Sequence, residues 1–109
     1  MKREIVTHNA VEGFHAWPDA IPEVAYLRDR HRHIFVIRTW FIVTDNDREI
    51  EINLQGAEIR DYLRKKYGEP CEFGAMSCES IAEDILGAFA RASRCEVLED
   101  GYAGAALSK

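Results

Sequence analysis

The stretch RDRHRHIFVIRTWFIV, residues 28–43, sets His31 and His33 one residue apart at the mouth of an apolar run. In an extended chain, residues i and i+2 point to the same face, roughly 7 Å apart. Two imidazoles placed in that way can converge on one ion. Zinc takes neutral histidine nitrogens at about 2.0–2.1 Å, and a catalytic zinc keeps a position open beyond three protein ligands. His15 is the natural third ligand, because it follows Gly13-Phe14 at the end of a first extended stretch. A strand over 3–14 paired beside 31–43 would carry it to the same point. His8 falls in the middle of that first strand and reads as unrelated. Solvated histidines at a strand end produce the same H-x-H pattern, so spacing alone leaves both readings open.

The elements that must position these side chains can be read from periodicity and turn chemistry. Residues 31–43 are rich in Ile, Val, Phe, Thr and Trp and form the best strand in the chain. TDNDRE, 44–49, has turn chemistry, and EIEINL, 49–54, alternates like a returning antiparallel partner, so 31–54 reads as a hairpin. Residues 16–30 carry Pro18 and Pro22 and read as a long loop, a kind of segment that is often functional. Leu54, Ile59, Tyr62 and Leu63 then follow helical spacing, and Gly68 with Pro70 ends that helix. Residues 69–76 read as a loop. Ser77 is an expected N-cap, with Glu79 in the first turn and Ile81, Ile85, Leu86 and Phe89 on one apolar stripe. A last short strand is expected at Cys95–Glu99, before the tail DGYAGAALSK. The order β-β-β-α-α-β implies an α+β fold, an antiparallel β-sheet with two helices on one face.

Composition narrows the function classes. A chain of 109 residues that is 47% apolar can form a single domain, 1–109, with its own core, and at this size oligomerisation would help it. A net charge of −5 argues against nucleic acid or an anionic membrane as the main partner. The apolar runs at 34–37 and 39–43 are far short of a membrane span, and MKREIVTHN has no apolar signal core, so a cytoplasmic location is expected. Cys71, Cys78 and Cys95 are odd in number and lack metal-type spacing, which fits reduced thiols. Cys78, at a helix start, could have a lowered pKa, although a small buried residue there is the simpler reading. Trp17 and Trp40 read as core or subunit-contact aromatics. RDRHR reads either as an anion-binding patch or as a solvated basic loop.

Four short motifs, GFHAWPDA, RHRH at the head of a strand, MSCESIAEDI and CEVLED, occur in that order over most of the chain. The set resembles the 6-pyruvoyl-tetrahydropterin synthase and 6-carboxytetrahydropterin synthase family, whose members have the tunnelling fold. The resemblance implies that His15, His31 and His33 bind zinc. It implies that Glu99, in the place of the family's last-strand glutamate, grips the edge of a pterin or another guanine-like heterocycle with a bidentate pattern. Ser77-Cys78-Glu79-Ser80 is a looser match to the family's Pro-Thr-x-Glu-Asn motif, which puts Ser77 and Cys78 beside the substrate. A homo-trimer or homo-hexamer with sites between subunits is implied as well.

The departures concern proton transfer. The family's nucleophilic cysteine position holds Leu27, the glycine between the paired histidines is Arg32, and YGEPCEFGAMS, 67–77, has no histidine where the family has Leu-Asp-His. No catalytic residue can be assigned. Cys71 or Cys78 could supply a thiol from a different place. Three outcomes stay open: a zinc-dependent lyase or isomerase acting on a dihydropterin triphosphate, a non-catalytic heterocycle-binding protein, or a structural homo-oligomer that keeps only the fold.

Overall fold

A computed structural model describes all of residues 1–109. Two long strands form its centre. β1 (Arg3–His15) and β2 (His31–Val43) run antiparallel in unbroken register from Arg3 opposite Val43 to His15 opposite His31. Between them, residues 16–30 fold back on themselves around a short 3-10 helix, Pro22–Leu27. The Trp17 N–H donates to the Leu27 carbonyl at 2.8 Å, and the Arg28 guanidinium donates to the Ala20 carbonyl at 2.8 Å. After β2 come α1 (Ile52–Tyr67), β3 (Cys71–Gly74), α2 (Cys78–Ala88), β4 (Ala92–Glu99) and β5 (Ala103–Ser108). The five strands form one sheet in the order β3-β1-β2-β4-β5. The fold is α+β, and β3 lies parallel to β1, so the sheet is mixed rather than wholly antiparallel.

Strand alternation divides the sheet into two faces. Phe35, Ile37, Thr39, Phe41 and Val43 of β2 are buried, as are Cys95 and Val97 of β4. Ile59 and Leu63 of α1 and Ile81, Ala82, Ile85 and Leu86 of α2 complete the same cluster, so both helices cover that one face. Burying a Leu, Ile or Phe side chain is worth about 1.5–3 kcal/mol, which holds the helices there. Ser77 caps α2, its hydroxyl oxygen accepting from the Ser80 N–H at 3.1 Å, and Gly68 ends α1 at φ 88°, as the sequence predicts. Val6 and Ile42 remain exposed on the opposite face, where no helix packs.

Four expectations are corrected. There is no hairpin over 31–54. The partner of β2 on that side is β1, residues 49–51 are loop, and 52–54 open α1. The alternation in EIEINL is capping chemistry. The Glu49 carboxylate accepts from the Thr44 N–H at 2.8 Å and from the Asp45 N–H at 3.1 Å, which closes the loop. The Glu51 carboxylate accepts from the Leu54 N–H at 2.8 Å and starts the helix. Residues 71–74, read as loop, form β3. Residues 103–108, read as tail, form β5, so the observed order of strands and α-helices is β-β-α-β-α-β-β. The last strand also begins earlier, at Ala92 rather than Cys95. No helix is long and apolar enough to cross a membrane.

Gly13 is the tightest point of the strand pair near its histidine end. A Cβ there would come within 2.8 Å of the Phe73 ring and 3.0 Å of the Phe35 ring. Gly13→Ala should therefore destabilise the protein by about 1–3 kcal/mol, as overpacking of a filled core does. Urea denaturation checks this, and an unchanged midpoint would show that both rings can move aside.

Candidate metal centre

The register of β1 and β2 does most of the positioning. His15 stands directly opposite His31, and His33 stands opposite Gly13, all on the face that carries Phe35 and the core. β4 adds a fourth group, because Glu99 is paired with Phe35 on the other side of β2. The ring centroids of the three histidines lie 4.6–5.3 Å apart. The rings of His15 and His33 stand edge-on to Phe35, at 5.1 and 5.7 Å, so the top of the apolar core forms the floor of the cluster.

Each ring is held by its Nδ1. His15 Nδ1–H donates to the Met76 carbonyl at 2.9 Å, and His31 Nδ1–H donates to the Asp29 carbonyl at 2.8 Å. His33 Nδ1–H donates to the Asp100 carboxylate at 2.8 Å. A carbonyl oxygen can only accept, so Nδ1 must carry the proton and Nε2 is left as a lone pair. All three Nε2 atoms are buried without a hydrogen-bond partner. Buried polar atoms are seldom left this way, and here three acceptor lone pairs lie together. Ligating histidines commonly bond a carbonyl or carboxylate through the other ring nitrogen, as all three do here. The donor atoms of His15, His31, His33 and Glu99 lie within 4.8 Å of one another, close enough for the group to hold a metal ion.

Asp100 is the residue that sequence reasoning missed. It sits in the turn between β4 and β5 at φ 55°. One carboxylate oxygen holds His33, and the other accepts from the Ile34 N–H at 2.9 Å. These bonds hold its carboxyl below the usual carboxylate range. Its backbone N–H also donates to the Ile34 carbonyl at 2.7 Å, so the turn is clamped to the head of β2. The available signal was a second acid after Glu99 in CEVLED, followed by a glycine suited to a tight turn.

A cleft of about 490 Å³ opens beside the histidines. Trp17, Leu27, Met76, Ser77, Cys78 and Glu99 contribute to its walls. Trp17 is thus at the cleft rather than in the core, with 47% of its surface exposed. The Ser77 hydroxyl is engaged in capping α2. Cys78 is not activated by its helix start: burial first, and then the Glu99 carboxylate, push its thiol up to about 12. Cys71 lies away from the cleft in β3, and burial pushes its thiol up to about 11. Cys95 packs against Thr39 in the core, its thiol also raised to about 11 by burial. Two of the RDRHR basic groups are paired with carboxylates where they stand, Arg30 with Glu72 and Arg32 with Glu12, and Arg28 donates to the Ala20 carbonyl. A larger, shallower depression of about 600 Å³ lies over Tyr62 and Asp84. Its polar groups already satisfy one another, with Tyr62 and Lys66 both donating to Asp84.

No family model matches the sequence, and no curated protein matches it at a significant level.

The role of Asp100 can be tested without any metal. Nitrogen-15 NMR of the metal-free protein should report Nδ1–H tautomers for His15, His31 and His33. Asp100→Ala should release His33 to a mixture of tautomers, and Asp100→Asn, which keeps an acceptor oxygen, should largely restore the single form. A single Nδ1–H tautomer at His33 in Asp100→Ala would show that another group fixes the ring.

Proposed function

We propose that this chain is a zinc-binding domain of the tunnelling-fold type. On this reading its cleft receives a pterin or another guanine-like heterocycle beside the metal. The observation that carries the reading is the convergence of three buried Nε2 lone pairs whose Nδ1–H groups are already committed. The motif order that resembles the 6-pyruvoyl-tetrahydropterin synthase and 6-carboxytetrahydropterin synthase family supplies the metal and the ligand class. His15, His31 and His33 are the residues that would hold zinc, a metal that accepts neutral imidazole nitrogens. Held by these three histidines alone, with its fourth position open, zinc would polarise side-chain oxygens of a ligand as a Lewis acid. Trp17 offers a flat ring at the cleft on which a planar heterocycle can stack.

One observation favours binding over turnover. A general base must reach the proton it takes and be tuned near the working pH. Leu27, at the position the resemblance gives to the family's cysteine, lines the cleft and can do neither. The thiols of Cys71 and Cys78 are held up at about 11 and 12 by burial. Lyase or isomerase activity on a dihydropterin triphosphate is therefore expected to be weak or absent.

Purified protein should carry about one zinc per chain by elemental analysis, and His33→Ala should lose most of it. A wild-type protein that cannot take up zinc would sink the reading. A fluorescence titration should detect binding of neopterin by the zinc-loaded protein. In a parallel assay, dihydroneopterin triphosphate should turn over slowly or not at all. Turnover comparable to active members of the family would show that another group has taken over the proton transfer, and no neopterin binding would favour a purely structural role.

Assembly belongs to the same proposal. The sheet face turned away from the helices exposes Val6 and Ile42, and β5 has a partner only in β4. An uncovered sheet edge can pair with a further strand, and an exposed apolar face can pack against another surface. Light scattering should return a homo-trimer or homo-hexamer, and a monomer at micromolar concentration would contradict this.

A further inference from the structure

Resting on the metal reading above, we infer that Glu99 is the fourth protein ligand, so that the centre is a closed set of three imidazole nitrogens and one carboxylate oxygen. The Nδ1–H groups are spent on Met76, Asp29 and Asp100, so all three Nε2 atoms present lone pairs. Glu99 Oε2 presents another, 2.9 Å from His15 Nε2 and 3.6 Å from His33 Nε2. Neither approach makes a hydrogen bond to those nitrogens, which remain without a partner. Acceptors facing one another at this range repel unless a cation lies among them. With bonds of about 2.0–2.1 Å, two donor atoms on a tetrahedral zinc stand roughly 3.3–3.4 Å apart. The two Glu99 distances bracket that edge.

Backbone pairing, not a flexible loop, puts the carboxylate there. Glu99 is opposite Phe35, and His33 lies two residues along the same face of β2. The resemblance gives Glu99 to the edge of a heterocycle, where it would have to present both oxygens outward to a pair of N–H groups. In the structure its Oε2 turns inward to the histidines. The two assignments forecast opposite results. A ligand of the metal must weaken metal binding when removed, whereas a heterocycle grip must leave the metal in place.

The experiment uses the whole chain as wild type, Glu99→Gln, Glu99→Ala and His33→Ala. Zinc affinity is measured by competition with a chromophoric chelator, and coordination is followed by the visible absorption of the cobalt(II) form. Both Glu99 variants should bind zinc at least about tenfold more weakly, since even outer partners of metal ligands are worth 10–100-fold. Azide should leave the wild-type cobalt spectrum unchanged, because the centre is closed, and should shift the spectrum of Glu99→Ala. Glu99→Gln preserves the side-chain shape, so it tests the charge where Glu99→Ala fails to fold. Unchanged zinc affinity in both Glu99 variants, or azide binding to the wild type, overturns the inference and leaves the three-histidine site standing. A wild type without metal uptake, or a His33→Ala variant that keeps its zinc, overturns the metal reading itself.

Discussion

The pairing of β1 with β2 is the constraint on which the rest of the molecule depends. Side chains alternate faces along a strand, so a slip of one residue would turn every one of them over. In the observed register, Val11 meets Phe35, Gly13 meets His33 and His15 meets His31. A slip would expose Phe35, Ile37 and Phe41 to solvent and scatter the histidines at the same time. Burial of those three side chains is worth several kcal/mol at about 1.5–3 each. The apolar pattern of β2 therefore fixes the imidazoles as firmly as it fixes the core. Gly13 adds to this by lacking a Cβ where the Phe35 and Phe73 rings close over the strand.

Polar pairing then decides what the cluster can do. Each imidazole is reached by a different part of the chain: the loop before α2 through Met76, the loop before β2 through Asp29, and the β4–β5 turn through Asp100. Two distant segments and the residues just before His31 thus converge to hold three rings with their Nε2 atoms together. The same burial that orients these groups raises the thiols of Cys71, Cys78 and Cys95. At Cys78, the one cysteine that lines the cleft beside the histidines, nucleophilic chemistry by the thiol is disfavoured.

Much of this was legible in the sequence because it is local. The H-x-H spacing, the apolar run of β2, the Ser77 cap and the Gly68 stop each act within a few residues. His15 could be placed only by supposing that the first strand lies beside β2, and it does. The illegible parts are those where one residue serves two patterns. Glu49 and Glu51 alternate with isoleucines and so mimic a strand, while their carboxylates in fact close a loop and cap a helix. β5 is built largely from alanine and glycine, which carry no period-two signal, and Gly104 lies against the Val97 and Leu98 backbone where any Cβ would collide. β3 is only four residues long and earns its place through pairing with β1, which no local pattern announces. Asp100 was hidden for a related reason. Its partner His33 is distant in sequence, and only the turn after β4 brings the two together.

Phe35 touches both worlds. Its ring packs against Phe73 inside the core and stands edge-on to His15 and His33 at the cluster. No layer of spare side chains separates the stabilising interior from the imidazoles. A lineage that drifted by repacking its interior would shift these rings with every change in volume at position 35 or 73. Neutral variation should then be scarce at this end of the sheet and freer around Phe41 and Phe89, where the core runs on without touching the histidines.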